Sequence, residues 1–256
     1  MRKVLFLLFF ISSVGYSQSN TPAFESGEFL KYKLSYGLIN AGLATLEIED
    51  HIENDMVMFH VTGKGWTTGM TDFFFPVIDD YQTYFDKKTM QPYRFIRKIN
   101  EGGYTKNKEI FFDFKREIAT VIDHKKSKTE TFPVQNDVQD MLSSLYYVRG
   151  IDFDTLDEGE IISISMFLDN DIYKFHLFFK GREIIKFNGK QIKTIVFQPT
   201  VQEGRIFKSN ESVTIWLSDD ANKIPLKIKA SVLVGSIKAE LIEYRGLANP
   251  IPLIFN

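Results

Sequence analysis

The chain has 256 residues, with 31 Lys and Arg against 33 Asp and Glu, and no cysteine. A formal charge of −2 excludes the basic footprint of a nucleic-acid binder. The missing thiol excludes disulfides, Cys-ligated zinc and lipid attachment at a cysteine.

Arg2 and Lys3 precede an apolar run, Val4 to Ile11, and then the small and polar residues Ser12 to Ser17. That order is the order of a secretory leader. The apolar run is shorter than the roughly 20 residues that a membrane-spanning helix needs, and Gly15 and Ser17 place the expected cut after Ser17. Residues 1–17 are read as a signal peptide and 18–256 as one β-rich domain with its core over 24–245. The implied location is the periplasm, and no later stretch reads as a transmembrane segment. Without Arg2 and Lys3 the 31 basic residues become 29, which against 33 acidic residues gives −4.

Alternation of apolar and polar residues then dominates. Leu30, Tyr32, Leu34 and Tyr36 alternate with Lys31, Lys33 and Ser35, and Leu46 and Ile48 with Thr45, Glu47 and Glu49. Ile162, Ile164, Met166 and Leu168 continue the rule, as do Tyr173, Phe175, Leu177 and Phe179. Further sets are Ile192, Thr194 and Val196, then Val213, Ile215 and Leu217, then Ile224, Leu226 and Ile228. A period of two marks strands with one face in a core and one in water. Asn188-Gly189 between two such runs is the strongest short hairpin signal. Asp169-Asn170 and Asp86-Lys87-Lys88-Thr89 read as further turns, and Glu101-Gly102-Gly103 and His124 to Lys128 as exposed connections. The pattern amounts to roughly a dozen strands.

One segment departs from this period. Val138, Met141, Leu142, Leu145 and Tyr146 recur at helical spacing, so a helix is expected over 138–149, capped by Asn136-Asp137 and ended by Gly150, with Arg149 favourably placed in its last turn. A shorter helix is expected between Thr67 and Phe75, stopped by Pro76. The fold class is mainly β (α+β): a large curved antiparallel sheet or partial barrel with one amphipathic helix packed on or in it. The competing arrangement is two successive sheets split near that helix.

Four motifs in this order resemble a known family: Gly27-Glu28-Phe29-Leu30-Lys31-Tyr32 followed by Ile39 to Ala44; Asp79 to Asp86 leading to Pro92; Asp137 to Arg149; and Ile215-Trp216-Leu217-Ser218-Asp219-Asp220 to Leu226 before Gly235-Ser236-Ile237. The chain is similar, from Phe24 to Tyr244, to the bacterial envelope family known as domain of unknown function 3108. The family brings no reaction or ligand with it. The Trp216 to Leu226 segment is also similar to a strand–turn–strand of periplasmic lipoprotein-carrier and lipid-binding half-barrels, which by analogy implies a half-barrel around a helix and an apolar ligand.

Catalytic signatures are sparse. No His-Glu-x-x-His, P-loop, Gly-x-Ser-x-Gly or dinucleotide glycine pattern occurs, and no cofactor or metal is implied. Gly65-Trp66-Thr67-Thr68-Gly69 imitates a nucleophile elbow with Thr for Ser, but the elbow needs a parallel strand. His51, His60, His124 and His176 lack ligand spacing. Asp79-Asp80 and Asp219-Asp220 are adjacent carboxylates, which a strand turns to opposite faces, so neither forms an acid/base dyad.

The candidate ligand contacts are apolar. Trp66, Met70, Phe73, Phe74 and Phe75 crowd one glycine-flanked segment, and Met141 and Leu145 lie on the expected helix. The segment either lines a cavity mouth or closes the barrel end as a core plug, and the burial habit of aromatics favours the plug. Trp216 joins the candidates, although a core anchor is the better reading of it. The functional expectation is a non-enzymatic envelope protein that binds an apolar or amphiphilic ligand such as a lipid. The alternatives are an assembly partner acting on another envelope protein through a surface patch or edge strand, and an unrecognised hydrolase.

Overall fold

The computed structural model describes residues 22–202, 213–231 and 235–254; the expected signal peptide lies outside them. The strands are β1 (Phe29–Tyr36), β2 (Ile39–Glu53), β3 (Met56–Thr67), β4 (Val77–Asp86), β5 (Pro92–Glu101), β6 (Tyr104–Asp113), β7 (Ile118–Asp123) and β8 (Lys128–Pro133). After these come β9 (Ile161–Leu168), β10 (Asp171–Phe187), β11 (Lys190–Gln202), β12 (Val213–Ser218), β13 (Pro225–Ser231) and β14 (Ser236–Arg245). Helix α1 (Gly69–Phe74) joins β3 to β4, and α2 (Met141–Arg149) separates β8 from β9. The turn residues account for the hairpins. Asn188 and Gly189 take φ of 49° and 77°, and Asp169 takes 58°, the left-handed region that Asn, Asp and Gly tolerate.

The strands form one antiparallel sheet, not two. Chain neighbours pair from β1 to β8 and again from β9 to β14, and β1 pairs with β14. The order is β8-β7-β6-β5-β4-β3-β2-β1-β14-β13-β12-β11-β10-β9, so β8 and β9 are the two edges and the sheet does not close into a barrel. It curls until those edges face each other. The Phe167 ring of β9 meets Phe132 of β8 and Phe112 of β6, both at 6.0 Å between centroids. Across the same gap, Asp169 accepts hydrogen bonds from Arg97 Nη1 at 3.0 Å and Lys106 Nζ at 2.7 Å.

Helix α2 begins later than the helical spacing predicts. The Gln139 N–H donates to the Ser165 carbonyl at 2.9 Å, and the Phe167 N–H donates to the Gln139 carbonyl at 2.8 Å. This short parallel bridge to the edge strand holds the backbone extended through Gln139. The cap is therefore Asp140, not Asn136 or Asp137. Its carboxylate accepts from the Leu142 and Ser143 N–H groups at 2.8 and 2.9 Å, and the Ser143 hydroxyl accepts from the Asp140 N–H in return. Asp137 instead accepts from the Ser165 hydroxyl at 2.9 Å.

The helix packs on the concave face against β4 and β9. Beneath it, Ile48, Val61, Phe85, Phe95 and Ile110 form the main core together with Tyr146 of the helix. A second cluster around Phe153, Phe179 and Phe197 covers the β9–β12 half, and a third, around Leu30, Ile192 and Leu226, lies under the sheet centre.

Candidate functional site

The concave face has a stretch where small residues alternate with large ones. In register across β14, β1, β2 and β3, Ala239 lies opposite Leu34, Ala44 opposite Tyr32, and Gly65 opposite Ala44. Gly63, two residues before Gly65, lies opposite Leu46. Successive side chains of a strand alternate in face, so Gly63 and Gly65 share the inner face with buried Val61. The backbone of these four small residues forms a floor, and α2 holds Leu142 and Leu145 above it. Between floor and helix lies a cavity of about 290 Å³ that runs from Pro225 and Ile228 on β13 to Asp79 and Tyr81 on β4. Its walls are almost wholly apolar.

Residues with polar side chains that border this space include Tyr32, Asp79 and Tyr81. Tyr32, on β1 between the two ends, has its hydroxyl buried without a hydrogen-bond partner. Asp79 lies opposite Gly65 at the β4 end and accepts from the Asn100 N–H at 3.2 Å. Burial pushes the Asp79 carboxyl up from its ordinary value; the Asn100 hydrogen bond opposes this and the neighbouring Glu101 adds to it.

Behind the helix, the molecule buries a charge. The Arg149 guanidinium donates from Nη1 and Nη2 to both Glu28 oxygens at 2.6 Å, from Nε to the Asn222 carbonyl at 3.0 Å, and from Nη2 to the Ala23 carbonyl at 3.0 Å. The Phe24 and Tyr146 rings each lie 5.2 Å from its central carbon. Burial, followed by the nearby Glu28 charge, holds the Tyr146 hydroxyl far above its usual range, and it stays neutral. At the other end of α2, burial pushes the Asp140 carboxyl up to about 6, against hydrogen bonds from Thr83, Ser143 and Leu142. This anchoring fixes α2 over the floor from both ends.

The structure divides the sequence candidates. Leu145 lines the cavity, whereas Met141 packs against the main core instead. Trp66 faces away from the inner face, because it follows Gly65 on the same strand, and it lines a surface cleft with Asp72 and Ile78 that adjoins the cavity at Gly65 and Asp79. Met70, Phe73 and Phe74 stand on α1 and Phe75 ends it, and none of the four lines the cavity. They are exposed by 75, 82, 74 and 53%, so the core-plug expectation does not hold. The reason is local. Thr67 donates to Asp72 at 2.8 Å and accepts from the Val77 N–H at 2.8 Å, which folds α1 outward as a short staple between β3 and β4. Leu38, at the neighbouring β1–β2 tip, is fully exposed as well.

Trp216 is not a core anchor. Ile215 and Leu217 face the inner cluster, so Trp216 turns outward, where its indole N–H donates to Glu183 and the Lys227 ammonium lies 5.2 Å from its ring. His60 stacks on Tyr84 at 4.2 Å on the outer face. Among the described residues no group of three His, Asp or Glu is arranged to hold a metal. Sequence reasoning missed Gly63, Ala44 and Ala239. The one signal available was the repeated small residue at inward positions of otherwise bulky strands.

Residues 31–242 match the family of proteins of unknown function DUF3108. No curated protein matches the sequence. Among solved structures, the fold is similar to a β-barrel-like protein of the unknown-function family DUF1849 from Brucella abortus, with a TM-score of 0.56, 10% identity, and coverage of 86% of this chain and 97% of that one. A DUF1089 family protein from Pseudomonas aeruginosa aligns with a TM-score of 0.38 and 11% identity over 71% of this chain and 87% of that one. The first likeness extends to the fold; the second is too weak to carry an argument.

Proposed function

The chain belongs to the DUF3108 family, and from that starting point we propose that it is a non-enzymatic protein of the bacterial envelope, exported by a cleavable leader, that holds an apolar or amphiphilic ligand between its concave sheet and α2. The observation that carries this reading is the cavity itself. Interiors normally pack to crystal-like density, yet here Ala44, Gly63, Gly65 and Ala239, set among larger side chains, leave about 290 Å³ of apolar space, open to solvent, under an anchored helix. Its size is at the lower end of the range for ligand sites, roughly 300–1,000 Å³. Native mass spectrometry of the protein purified from its own host tests it. An adduct that organic solvent extracts and that returns on adding the extract supports the reading; protein that is ligand-free from every preparation and binds no added lipid ends it.

A second reading rests on the α1 rim. Four large apolar side chains exposed together on one short helix and its C-terminal cap, beside exposed Leu38 and Ile78, are the kind of patch that meets another protein. Stoichiometric recovery of one envelope protein, lost on replacing Phe73 and Phe74 by Ser, is the outcome that favours it.

A further inference from the structure

We infer that the cavity is gauged for a single unbranched alkyl chain, and that Gly65 sets the gauge. This rests on the ligand-binding reading above and specifies the class of ligand. The lining residues come from six neighbouring strands, β13, β14, β1, β2, β3 and β4. Strands lie about 4.8 Å apart, so five spacings give a path of roughly 24 Å, shortened by the curl of the sheet. About 290 Å³ spread along such a path is a narrow groove and not a round chamber. A fused-ring sterol is too wide for it, and a two-chain lipid fits only one chain.

The glycines show which position controls capacity. A Cβ added at Gly63 would meet Leu46 and Leu142 at 3.2 and 3.3 Å, so that position is already filled by the helix. A Cβ added at Gly65 meets nothing within 4 Å. Gly65 has no positive φ that would demand glycine, and glycine weakens a strand interior. The absent side chain at Gly65 thus leaves room in the groove without a backbone reason for it. Asp79, directly across from Gly65, carries the inner-face carboxyl at this end, with Tyr81 two residues along the strand. The polar end of the chain therefore lies on the β4 side and the alkyl part runs toward Ile228.

The test uses straight-chain primary alcohols as probes, titrated calorimetrically into the purified protein. Each added methylene is expected to tighten binding about fourfold until the groove is filled, with no gain beyond. Gly65→Leu adds four carbons to the groove and is expected to shorten the longest chain accommodated by about four. Gly65→Ala, which adds one carbon and keeps the test alive should the larger variant misfold, shortens it by about one. A plateau that Gly65→Leu leaves in place overturns the gauge, as does a sterol that binds as tightly as the best alcohol. Failure of every alcohol and every sterol to bind at all overturns the ligand-binding reading beneath it.

Discussion

Arg149 and Glu28, 121 residues apart, face each other through two hydrogen bonds of 2.6 Å with neither side chain exposed. The pair joins the last turn of α2 to the residue that precedes β1, and thus fixes the helix against the centre of the sheet. Taking two charges out of water is costly, and their attraction offsets that cost only while both are present. Glu28→Gln is expected to destabilise the fold by about 3–5 kcal/mol, because it leaves a buried guanidinium uncompensated. Replacing both, as Glu28→Met with Arg149→Met, should lose much less than the two single changes summed. Urea unfolding of the four proteins measures the coupling; additive losses would show that the pair is not a unit.

Asp140 gives the protein a pH response. In the unfolded chain it titrates near the ordinary carboxylate value of about 3.9, and in the fold at about 6. The folded state therefore holds the proton more tightly. Its contribution to stability is fully present below about pH 4 and is lost as the pH rises through about 6. The shift of roughly two units corresponds to about 3 kcal/mol. Asp140→Asn keeps the cap acceptor and removes the titration. Denaturant unfolding across that window should show the wild type losing ground to the variant as pH rises, and parallel curves would refute the assignment.

Asp169 latches the two ends of the sheet. Burial pushes its carboxyl up, but the hydrogen bond and charge of Lys106, with the charges of Arg97 and Lys108, outweigh this and hold it below the usual range. The side chain is about half exposed, so solvent screening limits its worth. Asp169→Asn should cost about 1 kcal/mol. Amide exchange should quicken in the β9–β10 hairpin and stay unchanged in β2 and β3; uniform quickening would mean that the latch is not local.

Gly102 sits at φ +55°, and a Cβ there would run into the Phe75 ring. Gly102→Ala should therefore lose about 1 kcal/mol or more. Adding Phe75→Ala should recover part of the loss and not all, since the backbone strain remains. Full recovery on thermal unfolding would show that only the ring contact mattered.

Much of this fold was legible in the sequence because its rules are local. Alternation at Leu30 to Tyr36 and the Asn188-Gly189 turn each specify their own geometry within a few residues. The misreadings come from partners far away in the chain. Gln139 is extended because β9, more than twenty residues later, bridges to it. Phe167 is buried although it stands out of phase with Ile164 and Met166, because Phe112 and Phe132 cover the edge strand from across the gap. The cavity was hardest to foresee. It arises where Ala44 and Gly65 fall opposite each other on neighbouring strands and Ala239 lies one row along on the same face, and register is not written in any one of them.

Because β1 pairs with β14, the middle of the sheet is sewn from the first and last strands. A chain threaded out N-terminus first can form β1 to β8 as successive hairpins, but β1 keeps an unmated rim until β14 arrives. Such distant pairing is slow to find, and a bare strand rim invites the wrong neighbour in the meantime. The newly made protein thus passes through an interval in which its central strand is its most adhesive part, and losing β14 would prolong that interval indefinitely.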